Sequence, residues 1–367
     1  MHALVFHGPG EKAWESVPDP SIVDATDAVV RIDSSTICGT DLHIMKGDTP
    51  EVKAGRILGH EAVGTVVEVG AAVTTVAVGD RVLVSCVSSC GRCRFCKEGH
   101  YGICSGGGGW IFGYMIDGLQ AEFARVPFAD TSLYKVPAAL SDEQVLFVAD
   151  ILPTAYEVGV LNGRVEPGDT VAIVGAGPIG LAAIMTAKLH TPGRIVAIDL
   201  ADARLEKALE FGADAVINNG EEDAVAKMMA LTGGLGADVA IEAVGVPETF
   251  ELCTELIRPG GRVANVGVHG RCATLHLERL WIRDVTITTG IVDTRTTPML
   301  LKLIEGGRFD PTVFATHHFP LTATVAAYDV FAAAAETHAL KVVLHAVPAG
   351  IEHKDHRDAP LAAPVHA

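Results

Sequence analysis

Residues 171–199, VAIVGAGPIGLAAIMTAKLHTPGRIVAID, decide how this 367-residue chain is to be read. Residues 171–174 are an apolar run that reads as a buried parallel strand, and Gly175-Ala176-Gly177-Pro178-Ile179-Gly180 follows at once. Ile179, Ala183, Ile184 and Ala187 then share one face of a helix whose first turn holds Pro178, where a missing N–H costs nothing. The next strand, 195–198, runs into Asp199. Strand, GxGxxG, helix, strand and acid in one short unit form the full context of a dinucleotide fingerprint. Gly175 permits the tight turn, Gly177 lets backbone approach a pyrophosphate, and Gly180 lets helix and strand pack closely. The helix N-terminus offers free N–H groups and a positive dipole end to the phosphates. Asp199 is placed to bond an adenosine ribose and to repel a 2′-phosphate, so NAD is expected over NADP.

Outward from this unit the elements alternate. Helices are expected at 203–211, 223–231 and 248–257, the last ended by Pro259-Gly260-Gly261, with strands at 215–218, 238–244, 263–267 and 285–289. With the first two strands this makes six, the number in a doubly wound α/β sheet with helical crossovers. The strand ends near Val244, Val268 and Ile291 would border the cofactor crevice, and Arg204 is a further cofactor-contact candidate. Beyond residue 294 come helices at 299–305 and 324–335, a strand at 341–346, and a tail from 348 expected to be frayed, its histidines solvated rather than metal-bound.

Composition narrows the function. The length fits roughly two domains, and 49% hydrophobic residues can fill two cores. The net charge of −17 argues against a nucleic-acid partner or an anionic membrane surface, which need clustered Lys and Arg. The opening residues MHALVFHGPGEKAW lack a basic segment followed by an apolar one, and no run of 18 apolar residues occurs, so a cytoplasmic protein is expected.

Residues 1–150 read as β-rich, with short β-branched runs at 1–6, 28–32, 64–69 and 81–84. Two groups of metal-type residues lie here. Cys38, in CGTDLH, and His60-Glu61 could supply ligands to a zinc ion; a buried thiol and a core histidine are the competing reading. Asp150 is the candidate third ligand because it ends the apolar run 145–149, where an unpaired charge is costly; it could instead cap a helix. The second group, Cys90, Cys93, Cys96 and Cys104, gives C-x2-C-x2-C-x7-C on a glycine-rich loop, a spacing that closes a tetrahedral structural zinc site. Disulfides or an iron–sulfur cluster are the alternatives. Cys86, Cys253 and Cys272 read as small buried hydrophobes.

Taken in order, CGTDLH, GHEAVGTVVEVG, VGDRV, the four-cysteine loop and VAIVGAGPIG resemble the zinc-containing medium-chain alcohol dehydrogenases over nearly the whole chain. The resemblance implies a GroES-like β-rich catalytic domain at 1–152 with its zinc lobe at 86–105, an NAD-binding Rossmann domain at 153–294, and a segment 295–367 returning to the first domain. It implies two zinc ions per chain: Cys38, His60 and Asp150 hold the catalytic one, Glu61 can approach it, and the four lobe cysteines hold the other. Thr40 and His43 become a proton relay, and Lys341 reaches the cofactor phosphates. The reaction implied is reversible hydride transfer between a primary or secondary alcohol and NAD, giving an aldehyde or ketone, in a homo-oligomer, tetramer over dimer. Asp150 in place of a third-ligand cysteine, with Trp110, looks most like the bacterial branch that oxidises secondary alcohols. That branch often prefers NADP and can lack the structural zinc. Polyol, threonine and formaldehyde dehydrogenases share these motifs, with Trp110, Cys86 and Ile291 as plausible pocket liners. A rival of another class is a non-catalytic NAD-binding sensor that uses the cysteine lobe alone.

Overall fold

The computed structural model describes residues 1–346, so the expectation for the tail from 348 lies outside the described residues. Six parallel strands form one sheet in the order Ala215–Asn218, Arg194–Asp199, Thr170–Val174, Ala237–Glu242, Ile257–Asn265, Thr286–Thr289. Val171, Ile173, Val196, Val239 and Ile241 are at most marginally exposed because helices cover both faces, as near-continuous Val/Ile/Ala strands require. The strand order reverses between Thr170–Val174 and Ala237–Glu242, which opens a crevice at their carboxyl ends.

The boundary between helix and strand near residue 257 differs from its sequence-based expectation. The helix Pro247–Leu256 stops one residue early and Ile257–Asn265 is strand throughout, Pro259 and both glycines included. A register shift against Ala237–Glu242, between Ala237 and Val239, absorbs the residues that cannot pair regularly.

The second sheet runs Ala315–Pro320, Lys341–His345, Ala28–Thr36, Ala62–Val69, Arg81–Val84, Leu133–Lys135, with Phe123–Val126 also paired to Ala28–Thr36. Val343 sits opposite Thr36, so the C-terminal strand is hydrogen-bonded into a sheet built from the N-terminal region. The strand Ala315–Pro320 carries the polar sequence ATHHFP at the sheet edge, and no apolar run announced it. A smaller sheet joins His2–Gly8, Glu11–Ser16 and Arg56–Ile57.

The stretch Asp142–Leu161 ties the two sheets together. Ser141 and Gln144 form a capping box at its start, and it ends in the π-helical turn Ala155–Leu161. Its composition is apolar enough to cross a membrane, yet 78% of that window is buried inside the fold. Leu146, Phe147 and Leu152 join Ile173 and Ile241 of the parallel sheet and Leu83 and Val343 of the other in one core. Glu157, buried in the π-helical turn, accepts hydrogen bonds from the N–H groups of Asp293 (2.9 Å) and Thr296 (2.8 Å), anchoring the chain as it leaves the parallel sheet.

Candidate active site

Four acidic, thiol or imidazole side chains meet where this stretch passes the mixed sheet. Cys38 follows the strand Ala28–Thr36 and occupies the N-cap of the helix Gly39–Lys46 in extended backbone; its N–H donates to Asp41 Oδ2 at 2.9 Å. His60 follows Gly59, whose φ of +88° and 2.5 Å clearance to the Gln120 side chain exclude a larger residue. Asp150 heads the helix Ile151–Thr154, but its carboxylate caps no helix N–H. Instead Oδ2 lies 3.2 Å from His60 Nε2 and 3.6 Å from Cys38 Sγ, while Oδ1 accepts the Thr154 hydroxyl at 2.6 Å. One ligand atom from each of Cys38, His60, Glu61 and Asp150 falls within 4.8 Å of the others.

The donor set fits a zinc ion. It offers a thiol, an imidazole and carboxylates, the mixture borderline divalent metals take. Glu61 Oε2 is buried without a partner, although Oε1 receives the Lys341 ammonium at 2.6 Å. The protonation pattern points the same way. Burial would lower the His60 pKa, but Asp150 and Cys38 outweigh it and hold the ring well above its ordinary value. Burial would raise Asp150, yet His60 keeps it below the ordinary range. Burial, then Asp150, pushes the Cys38 thiol up, and burial lifts Glu61 to about 7. The group sets a positive charge on His60 against an ionised Asp150 and favours the protonated Cys38 thiol, and a divalent cation would release those protons.

The glycine-rich lobe forms a second donor set. Sulfur–sulfur distances are 3.4 Å for Cys93–Cys96 and 4.0 Å for both Cys90–Cys96 and Cys93–Cys104, and none of the four is in a disulfide. Backbone N–H groups of Cys90 and Gly106 donate to Cys104 Sγ at 3.3 and 3.4 Å, and that of Cys93 donates to Cys90 Sγ at 3.3 Å. A Cβ on Gly106 would lie 2.4 Å from Cys90 Sγ, so the loop is a cradle shaped around the sulfurs. The backbone N–H of Cys96 is the main cause that lowers Cys93 to about 5, whereas burial raises Cys96 to about 12. Four thiols this close, already solvated by amides, fit a closed tetrahedral zinc site.

At the parallel sheet, Gly175 has φ +98°, and a Cβ on Gly180 would fall 1.8 Å from the Gly175 carbonyl oxygen. Gly177 has open space where its Cβ would be, at the N-cap of Pro178–Ala187, which leaves that backbone and Ile179 beside it open to a phosphate. Asp199 ends its strand with Oδ2 accepting the Ala176 N–H at 2.7 Å; Arg204 Nη1 lies 3.9 Å from the same oxygen. Val244, Val268 and Ile291 are exposed just past the carboxyl ends of their strands.

Not every expected residue lies where it was placed. Lys341 is 1% exposed, with its ammonium on Glu61 and on the Ile37 carbonyl at 2.9 Å; it is buried behind the metal group, not turned to cofactor phosphates. The reason is electrostatic, since a buried carboxylate next to the metal donors demands a cation. Cys272 is exposed, in the irregular stretch between Ile257–Asn265 and the helix Leu277–Leu280, whereas Cys86 and Cys253 are buried; Cys86 Sγ stands 3.7 Å from Asp150 Oδ1. Thr40 Oγ1 is 3.7 Å from Cys38 Sγ, and His43, one turn on, holds Asp48 Oδ2 at 2.8 Å through Nδ1. Asp41 escaped the sequence reading. It is 1% exposed, bonds the Cys38 N–H and lies 3.6 Å from His60 Nδ1. The only sequence signal was its place three residues after an N-cap. Trp110 packs its ring edge-on against His60 at 5.7 Å and stacks on Tyr114 at 5.1 Å.

Comparison with known proteins agrees with this geometry. Residues 24–138 match the family model "Alcohol dehydrogenase GroES-like domain" and residues 178–306 match "Zinc-binding dehydrogenase". An alcohol dehydrogenase of Cupriavidus necator is 40% identical over 353 residues, covering 90% of this chain and 95% of that protein. The solved structure of zinc-dependent alcohol dehydrogenase 2 from Streptococcus pneumonia, in its apo form, superposes with a TM-score of 0.91 at 48% identity, covering 96% of this chain and all of that one. An Escherichia coli alcohol dehydrogenase solved with NADH gives a TM-score of 0.84 at 28% identity, covering 94% of this chain and 99% of that one.

Proposed function

This chain belongs to the zinc-binding medium-chain alcohol dehydrogenase family, and on that premise we propose that it transfers hydride reversibly between a primary or secondary alcohol and NAD. The convergence of Cys38, His60, Glu61 and Asp150 from separate segments carries the proposal. Cys38, His60 and Asp150 would hold the catalytic zinc with Glu61 in reach, and the ion when bound supplies a Lewis acid that lowers the pKa of an alcohol hydroxyl. The Gly175–Gly180 turn and Asp199 would hold NAD, which when bound would supply the hydride acceptor.

The chain's own residues do the rest. Thr40, beside Cys38, would relay the hydroxyl proton, giving up its own as it accepts the new one, toward His43, which is partly exposed, oriented by Asp48 and able to release a proton to water. Trp110 and Tyr114 give the site an aromatic wall against His60, which favours an apolar alcohol over a polyol. Cys90, Cys93, Cys96 and Cys104 would hold the second, structural zinc.

The pairing of Lys341–His345 with Ala28–Thr36 supports a catalytic unit made of 1–152 and 295–367, with 153–294 inserted between them. A homo-oligomer is supported by the exposed Val268, Leu277, Trp281 and Ile282, which lie in the segment that leads from Ile257–Asn265 to the edge strand Thr286–Thr289. Eight cysteines without a disulfide are consistent with a reducing, cytoplasmic setting.

The test is a turnover screen of zinc-loaded protein with NAD and NADP against short secondary and primary alcohols, polyols, threonine, and formaldehyde with glutathione. Turnover of short alcohols with NAD and two zinc ions per chain is expected. No hydride transfer from any alcohol, with one zinc per chain, would leave the non-catalytic sensor reading in its place.

A further inference from the structure

Outside the sites above, two imidazoles and a carboxylate converge from three distant positions. His318 lies in the strand Ala315–Pro320, His345 ends the neighbouring strand Lys341–His345, and Glu143 is in the helix Asp142–Leu146, on the stretch that leads to Asp150. We propose that Glu143, His318 and His345 form a third metal site, for a divalent transition cation such as zinc or nickel, where the C-terminal strands meet the helix that precedes Asp150.

Geometry carries the assignment. His318 Nδ1 stands 3.0 Å from His345 Nε2 and 3.8 Å from Glu143 Oε2, and one ligand atom from each of the three falls within 4.8 Å of the others. Two nitrogens bound about 2.1 Å from one ion lie roughly 3.0 to 3.4 Å apart at octahedral or tetrahedral angles. The two rings are nearly parallel, 5° between planes at 5.3 Å between centroids, so His318 Nδ1 and His345 Nε2 face each other, and an ion held between them and Glu143 requires a small swing of either ring. Ser34 Oγ lies 3.4 Å from His345 Nδ1. A hydroxyl accepting the proton on Nδ1 leaves the Nε2 lone pair facing His318, the arrangement in which an outer residue orients a histidine ligand.

Chemistry narrows the cation. Calcium and magnesium take oxygen donors, whereas two imidazoles and one carboxylate suit zinc, nickel or cobalt. The His318 side chain is 46% exposed, so an ion enters from solvent and keeps water in its remaining positions. The site shares no ligand with the catalytic group or the lobe. An ion here would cross-link residues 143, 318 and 345, tying the edge strand to the helix.

The experiment uses untagged holoenzyme already carrying its two zinc ions. It is titrated with zinc sulfate and, separately, nickel chloride, by calorimetry and by metal content after gel filtration. One further equivalent is expected. His318→Ala should abolish it while the original two zinc ions stay, and Ser34→Ala should weaken it about tenfold. A variant with His353, His356 and His366 all changed to Ala should retain it. No third equivalent, one that survives His318→Ala, or one that disappears with the tail histidines would each overturn the site.

Discussion

Lys341 Nζ lies 2.6 Å from Glu61 Oε1, and both side chains are 1% exposed. The ammonium also holds the Ile37 carbonyl, so the C-terminal strand is fastened from behind to the backbone just before Cys38 and to the residue after His60. A buried ion pair adds little net stability, but removing one partner strands the other charge. Lys341→Met should therefore lower the unfolding free energy by about 3–5 kcal/mol. The double variant Lys341→Met/Glu61→Gln should recover much of that loss. Denaturant titration of the three proteins checks it; equal losses in single and double variants would mean that lost packing, not a stranded charge, sets the effect.

Gly106 is the next point of leverage. An alanine Cβ there would meet Cys90 Sγ at 2.4 Å and Cys90 Cβ at 2.9 Å. The sulfur has to move off the common centre of the four thiols. Gly106→Ala should lose the lobe zinc, lowering the content from two ions per chain to one, and should destabilise the fold by at least the ~1–3 kcal/mol typical of overpacking. Metal analysis with a thermal melt decides; two ions and an unchanged melting temperature would contradict the cradle.

How far the sequence speaks depends on the separation of the residues involved. The dinucleotide turn and the cysteine lobe are local, each written within a few dozen residues, and their glycines show why backbone and sulfur come close. Cys38, His60 and Asp150 announce their chemistry but not their meeting, which depends on how the 142–161 stretch packs between two sheets. Asp41 and Lys341 were beyond reach. An acid three residues past an N-cap reads as a cap, and the lysine opening the apolar KVVLH reads, by resemblance, as a contact to cofactor phosphates; only the fold shows the buried carboxylate that draws it inward. The edge strand Ala315–Pro320 was missed for the opposite reason, since its pairing with Lys341–His345 rather than any apolar pattern makes it a strand.

The lobe thiols also give a pH signature. Cys93, held by the Cys96 N–H, titrates at about 5, and Cys96, raised by burial, at about 12. A lowered thiol pKa means thiolate above that value, so in metal-stripped protein Cys93 should react with iodoacetamide at nearly full rate at pH 7 and lose half of it near pH 5. An ordinary thiol near 8.5 would be only a few per cent thiolate at pH 7. Cys96 should stay unlabelled across that range. Mass spectrometry of protein labelled at pH 4 to 9 reads both sites, and a Cys93 midpoint near 8.5 would refute the amide-stabilised thiolate.

Asp199 makes the cofactor preference testable apart from the chemistry. Its Oδ2 accepts the Ala176 N–H of the glycine turn, and its Oδ1 accepts the N–H groups of Leu200 and Ala201 at 2.8 and 3.0 Å, so the carboxylate is fixed at the strand end. Arg204 stands 3.9 Å away, close enough to follow a 2′-phosphate if the negative charge were gone. Asp199→Asn keeps the size and one acceptor oxygen while removing the charge. The KM for NAD should rise about tenfold, a loss of roughly 1.4 kcal/mol of binding, and the KM for NADP should fall. With NAD saturating, kcat should stay near the parent value, because the contact proposed for this side chain is to the adenosine end and not to the reacting carbon. An unchanged ratio of the two KM values would mean that the acid serves only the turn's backbone, and that the preference for NAD is set by other residues along the crevice.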